Sequence, residues 1–315
     1  MDLHKVLLFL EERRRKGEPA VLVSVCAVEG SSMRNPGTIM GVAADGSFEG
    51  SLSGGCIENA VVAEALDALK AGQPRVVRFG AGSPYLDIKL PCGGGLDLHF
   101  CPLNHDREVL GLALGRIRGR TPFSIRVGPD GEELVEGWYA PQFDADQEVG
   151  VFGHWPAPQL RIIGHGAGVE SLARLGGMMG CVVRVLTPDE RIIATLQKDR
   201  IGADLLKRRT QTDLIESDPW SAFVFLFHDH DWEIELMERA LELPHFYLGA
   251  MGGRKAHAMR SEALLARGVP QEKIDTVRAP IGVFHSSRDP DTLALSTLAE
   301  VIRAYQDTGF EIALG

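Results

Sequence analysis

Two cysteines of this chain lie beside paired glycines, and residues of that kind in that setting have chemistry open to them. Ser53-Gly54-Gly55-Cys56 runs straight into an apolar pattern of helical spacing that starts at Ile57. Consecutive glycines let a backbone approach a ligand closely. A helix start offers unpaired N–H groups and a partial positive charge, which suit a phosphate or another anion. The same field draws a nearby thiol toward thiolate. Glu58, in the first turn, would oppose that effect or serve as a proton shuttle. Cys92 sits in a second such turn, Pro91-Cys92-Gly93-Gly94-Gly95. Either cysteine alone reads as a small buried residue in a tight turn. Two thiols in two glycine-rich turns of one half of the chain point instead to a soft-metal, sulfur-transfer or redox site. Spacing does not decide whether the two turns meet. A third turn runs from Glu29 to Gly37. Its Pro36-Gly37 pair fits the centre of a type II turn, and Arg34 is placed to fork onto a phosphate or carboxylate; the alternative is a solvated loop arginine. The candidate catalytic set is therefore Cys56, Cys92 and Glu58, with Arg34, Ser53, Gly54, Gly55, Gly93 and Gly94 as the cradle.

The second half carries different signals. Ile163-Gly164-His165-Gly166-Ala167-Gly168 follows a predicted strand and opens a helix, the setting of a dinucleotide-binding turn. The match is incomplete: Val169 stands where the third glycine belongs. Thr187 stands where an acidic residue would hold ribose hydroxyls, with Asp189 two residues late. His228-Asp229-His230-Asp231 lies at the carboxyl end of another predicted strand, where open parallel sheets keep their ligand crevice. A crevice role is favoured over a metal site, because consecutive side chains rarely converge. The simpler alternative makes Asp231 a helix cap and His228 a packed strand end. Leu248-Gly249-Ala250-Met251-Gly252-Gly253-Arg254 is a further strand–glycine–helix turn and a candidate anion cradle. Gly164, Gly166, His228, Asp229, Gly249 and Arg254 are the binding candidates here.

The elements that must position these residues can be read next. At 315 residues the chain has room for two domains. Its 44% hydrophobic and 24% charged content is that of a globular protein. A net charge of -10 argues against a nucleic-acid partner. No apolar run approaches the roughly 18 residues of a membrane span, and the N-terminus does not read as a signal peptide. Five cysteines, with no Cys-x-x-Cys pair, argue against a disulfide scaffold and a structural zinc. Cys26, Cys101 and Cys181 fall in or beside predicted strands and read as structural. The expectation is a cytoplasmic protein with free thiols and no metal site. Periodicity predicts a helix from Asp2 to Lys16 stopped by Gly17, and strands at Ala20–Val28 and Ile39–Ala43. It predicts a helix from Ile57 to Ala71 stopped by Gly72, then a hairpin-like pair of Leu86–Leu90 with Leu96–Phe100. Strands alternate with helices from Leu160 onward, with Ala222–Phe227 read as the third strand. A helix from Pro290 to Tyr305 is capped by Asp289. The fold class is α/β: an N-terminal mixed α/β domain, residues 1–155, and a C-terminal Rossmann-like parallel-sheet domain, residues 156–315.

Taken together these segments resemble the XdhC/CoxI family, accessory factors of xanthine dehydrogenase and related molybdenum hydroxylases. The resemblance rests on the Gly30–Gly37 loop, Gly50 to Glu58, and Leu90-Pro91-Cys92-Gly93-Gly94 in the first half. In the second it rests on the Gly164/Gly166 turn, His228-Asp229-His230, Tyr247 to Gly252, Pro280-Ile281-Gly282, and Pro290 to Glu300. It implies a molybdenum cofactor (molybdopterin) chaperone that protects or supports sulfuration of its cargo and delivers it to an apo molybdenum hydroxylase. It also implies a cysteine desulfurase as partner, and a homodimer is expected. On this view Cys56 and Cys92 flank the molybdenum or relay sulfur, while Arg34 or the glycine turns hold the pterin phosphate. Ala167, Thr187 and Gly253 depart from the family pattern and count against a nucleotide role for the second half. The alternative is an NAD(P)-dependent oxidoreductase built on the C-terminal half; a third reading is a regulatory scaffold with vestigial sites.

Overall fold

The computed structural model describes residues 2–30, 34–52, 55, 57–83, 93–103, 108–284 and 289–310. Ser53, Gly54, Cys56 and Cys92 lie outside the described residues, and so does the expected strand Leu86–Leu90. The chain forms two compact units, Met1–Pro156 and Ala157–Gly315.

The first unit contains α1 (Asp2–Arg15), β1 (Ala20–Glu29), β2 (Ile39–Ala43), β3 (Phe48–Glu49), α2 (Glu58–Ala71), β4 (Arg75–Gly80) and β5 (Gly95–Pro102). It continues with α3 (Val109–Arg118), β6 (Phe123–Gly128), β7 (Gly131–Glu136), β8 (Gln142–Asp144) and β9 (Val149–His154). Strands β1 to β5 form an antiparallel sheet in the order β3-β2-β1-β5-β4. Strand β1 is apolar almost throughout because both its faces are covered. Val21, Val23 and Val25 pack with Val61, Ala65 and Ala68 of α2. Leu22 and Cys26 pack with Leu7 and Leu10 of α1 and with Phe123 and Ile125 of β6. Both helix stops are as the glycines suggest. Gly17 has φ +69, and Gly72, at φ +66, returns its N–H to the Ala68 carbonyl. On the side away from β1, β5 pairs with β4, an arginine-bearing strand outside the expected elements, with Arg78 opposite Asp97. A second antiparallel sheet, β7-β6-β9-β8, fills the region expected to hold turns and weak strands.

The second unit contains β10 (Gln159–Gly164), α4 (Ala167–Met178), β11 (Val182–Thr187), α5 (Glu190–Lys198), β12 (Gly202–Leu205), β13 (Ser221–Leu226) and α6 (Glu233–Glu242). It ends with β14 (Tyr247–Ala250), α7 (Arg254–Ala266), α8 (Gln271–Ile274) and α9 (Pro290–Asp307). All five strands are parallel, in the order β12-β11-β10-β13-β14. This is a Rossmann-like sheet. The chain moves outward from β10 to β12, then returns to the other side of β10, so the switch point lies between β10 and β13. Leu172, Leu196 and Leu298 cover one face; Leu236, Leu241 and Leu264 cover the other. The expected third strand is in fact the fourth of the sheet, because β12, of only four residues, precedes it. Asp289 caps α9 by accepting from the Thr292 N–H at 2.8 Å, with Pro290 in the first helical position. Asp231 does not cap α6: Trp232 holds that position without a side-chain bond, and Asp231 pairs with Arg209 at 3.7 Å. Among the described residues no helix is long and apolar enough to cross a membrane.

Candidate functional site

The sheet topology of the first unit brings its glycine-rich loops to one edge. Residues 30–38 join the end of β1 to the start of β2. Residues 50–57 leave the end of β3, and residues 81–94 join the end of β4 to the start of β5. Antiparallel pairing puts these strand ends on the same side of the sheet. Neighbouring strands are about 4.8 Å apart, so β3 and β5 lie about 14 Å apart across the edge. The loop after β3 closes part of that gap. Ile57 is buried in one apolar cluster with Leu96 and Leu98 of β5, which carries the start of α2 across the sheet. The described neighbours of the two thiol turns, Gly55 and Gly93, are exposed with φ +111 and +70. Each would carry a Cβ into open space, so the backbone there is bare.

Glu58, a candidate proton shuttle, is engaged in local hydrogen bonds. Its carboxylate is buried and accepts from Ser51 Oγ at 2.8 Å and from the Leu52 and Ile57 N–H groups at 3.2 Å each. These bonds tie Ser51, Leu52 and Ile57 to the helix start, where a negative charge also favours the helix dipole. The loop carrying Arg34 is pinned as well. The Thr38 N–H donates to the Asn35 carbonyl at 3.1 Å around Pro36 and Gly37, and Gly37 has φ +89, as a type II turn requires. A Cβ on Gly37 would lie 3.0 Å from Phe152 Cβ, so the turn rests on β9. Arg34 is half-buried beside this turn.

Cys26, Cys101 and Cys181 are buried free thiols. Burial pushes Cys26 up to about 12 and Cys181 up to about 11, which keeps both protonated. Cys101 donates to Glu132 Oε2 at 2.9 Å.

The second unit has its own cleft at the switch point. Gly164 ends β10 so close to β13 that a Cβ there would lie 2.6 Å from the Leu226 carbonyl carbon. Gly166 stands at the N-cap of α4 with φ +91 and no side-chain cap. The rings of His165 and His228 meet edge-on, with centroids 6.0 Å apart. Both line a cleft of about 290 Å³ together with Gly166, Gly168, Met251 and Asp289. The Met251 carbonyl is held from behind by Arg260, whose fully buried guanidinium pairs with Glu233 at 2.9 Å. Of the expected binding residues, Gly166 and His228 line this cleft and Gly164 shapes it. His228 is exposed rather than packed. Asp229 is exposed and accepts from the Asp231 N–H at 3.0 Å, a local turn brace. Gly249 is not in the turn but inside β14, where a Cβ would lie 2.7 Å from Ile281 Cγ2; its smallness serves packing. Arg254 opens α7, is exposed, and is not among the cleft's lining residues. The structure adds His165, Met251 and Asp289. His165 had a signal in its position between the two glycines; Met251 and Asp289 arrive from distant elements.

The features of a dinucleotide site are engaged elsewhere. Val169 is wholly buried in the core. Asp189 caps α5 through the Arg191 N–H at 2.9 Å and pairs with the Arg191 guanidinium. Among the described residues no group of three or more His, Cys, Asp or Glu side chains is arranged to hold a metal ion.

Comparison with known proteins agrees with this two-part construction. Residues 13–80 match the XdhC and CoxI family, and residues 160–301 match the XdhC Rossmann domain. The molybdenum cofactor insertion chaperone PaoD of Escherichia coli (strain K12) is 33% identical over 315 residues, covering 97% of this chain and 90% of that protein. The uncharacterized protein YqeB of the same organism is 21% identical over 300 residues, which is 90% of this chain but 43% of YqeB. A crystal structure described as a xanthine dehydrogenase (BH1974) from Bacillus halodurans matches with a TM-score of 0.78 over 96% of this chain and 98% of that one. At 19% identity that likeness is one of fold. The chain belongs to the XdhC and CoxI family.

Proposed function

We propose that this chain is a molybdenum cofactor chaperone, binding the cofactor as cargo at the loop edge of its N-terminal sheet and inserting it into an apo molybdenum hydroxylase. The observation that carries this reading is the common edge from which all three glycine-rich loops leave, two of them bearing the thiols Cys56 and Cys92. Its relation to PaoD, named as an insertion chaperone, supports the same reading. The residues suit the cargo. A pterin dithiolene with its molybdenum is soft at one end and carries a phosphate at the other. Thiolates match the soft end. Bare glycine backbone at Gly55 and Gly93 matches the phosphate. Cys56 and Cys92 then flank the molybdenum or relay sulfur, and Arg34 reaches the phosphate. Glu58 holds the Cys56 turn in shape. Sulfuration by a cysteine desulfurase, a homodimeric state and a cytoplasmic location complete the proposal.

The cleft of the second unit, lined by His165 and His228, is where a ligand of the C-terminal half would sit. A nicotinamide-dependent oxidoreductase is disfavoured there, because Asp189 is occupied as a cap and Val169 fills the third glycine's place with a core side chain. The test is reconstitution. Purified chain loaded anaerobically with molybdenum cofactor should activate an apo molybdenum hydroxylase faster than free cofactor does. Equal activation with and without the chain would refute insertion.

A further inference from the structure

Within that functional reading, we propose that Arg78 is a positioning residue of the cargo site: a clasp that holds the root of the β4–β5 loop, at Ala81 and Gly94, to the end of β1. Arg78 lies near the end of β4, directly opposite Asp97 of β5. Its guanidinium is shared among three strand ends. Nη1 donates to both carboxylate oxygens of Asp97, at 3.2 and 3.0 Å. Nη2 donates to Glu29, the last residue of β1. Nε donates to the Ala81 carbonyl at 2.6 Å, at the root of the β4–β5 loop. The far side of that loop is tied to the same point, since the Ala81 N–H donates to the Gly94 carbonyl at 2.9 Å.

The surrounding glycines fit this arginine. A Cβ on Gly95 would stand 2.7 Å from Arg78 Nη2, and one on Gly82 would stand 3.1 Å from Nε. The third glycine of Pro91-Cys92-Gly93-Gly94-Gly95 therefore has a role unlike that of the first: it makes room for the guanidinium. A planar fork with fixed donor directions can satisfy two carboxylates and a carbonyl at once; an ammonium cannot. Arg78 is only partly exposed, at 29%, and Asp97 at 20%, which limits screening of that pair. The more exposed Glu29 adds direction more than energy. The clasp joins the two loops that leave β1 and β4, and Cys92 lies two residues before Gly94.

The experiment compares Arg78→Ala, Arg78→Lys and Arg75→Ala with wild type in anaerobic retention of molybdenum cofactor. Amide hydrogen exchange is read in parallel. Arg75 is the control: it pairs with Glu64 at 2.8 Å at the opposite end of the same strand. Arg78→Ala is expected to lower retention about tenfold. Exchange should quicken at residues 79–83 and 93–97 and stay unchanged at residues 20–24 and 100–102. Arg78→Lys should retain an intermediate amount, and Arg75→Ala the wild-type amount. Wild-type retention by Arg78→Ala overturns the clasp, and so does an equal loss in Arg75→Ala. A wild type that retains no cofactor is a different failure: it sinks the functional reading, and the positioning role with it.

Discussion

Gly30 and Gly94 meet backbone to backbone: a Cβ on Gly30 would stand 3.3 Å from the Cα of Gly94. The first directly follows β1 and the second directly precedes β5, so two of the glycine loops touch where they leave the sheet. Gly30 also has φ +74, a conformation that costs an L side chain about 1–2 kcal/mol. Gly30→Ala should therefore lower the stability of the N-terminal unit and push the loops apart. Gly93→Ala is the matched comparison, with φ +70 but no neighbour within 4 Å. Urea titration should show similar losses for both, while cofactor retention should fall further in Gly30→Ala. Equal retention in the two would remove the contact from the site.

Glu58 is expected to behave as a brace. Glu58→Ala removes the acceptor for Ser51 Oγ and for two backbone N–H groups, and should cost about 2 kcal/mol or more. Glu58→Gln keeps an acceptor oxygen and should hold most of the transfer rate with an unchanged pH profile. A proton shuttle would lose about a hundredfold in the Gln variant. Stopped transfer assays across pH separate the two.

Stability of the N-terminal unit should depend on pH through His99. The ring is buried, donates from Nε2 to the Gly128 carbonyl at 3.2 Å, and has no hydrogen-bond partner at Nδ1 among the described residues. Burial lowers it from 6.5 to about 4. The unfolded chain then binds a proton between those values that the folded chain does not. Stability should be fully present above pH 6.5 and fall as pH drops toward 4, by on the order of 3 kcal/mol from this residue. His99→Gln should flatten that limb of a plot of urea midpoint against pH. An unchanged slope would assign the acid sensitivity elsewhere.

Nicotinamide nucleotides should leave the protein's melting temperature unmoved. A ligand at a hundred times its Kd stabilises by about 2.7 kcal/mol, a shift of several degrees. Asp189 is bound to Arg191 and Thr187 is buried, so neither residue read as the ribose-binding position after β11 is available for it. A clear shift with NAD or NADP at about 1 mM would reopen the oxidoreductase reading.

Local elements were legible in the sequence and long-range relations were not. Strand β2 and helix α2 announce themselves because each is a clean apolar pattern with a glycine or turn at its border. Strand β4 hides because Arg75 and Arg78 interrupt its apolar run; only the pairing partners across the sheet make sense of them. Helix α3 hides because Gly111 and Gly115 dilute a ten-residue pattern. Strand β12 is too short to carry alternation. At the site, the glycine turns could be read as ligand-ready backbone, but their common edge depends on strand order, which no local window contains. The same holds for Arg78 and Glu29, 49 residues apart in sequence, and for Asp289, which joins the His165 cleft from the start of the last helix.

The most direct test of the cargo site is the molybdenum and pterin content of the chain after anaerobic loading with molybdenum cofactor and gel filtration. Wild type, Cys56→Ser, Cys92→Ser and the double variant should be loaded side by side. Wild type should retain molybdenum and pterin together in constant ratio, each single variant should lose most of both, and the double variant should elute empty. Equal retention by all four proteins would contradict a thiol-flanked cargo site at the loop edge of the N-terminal sheet.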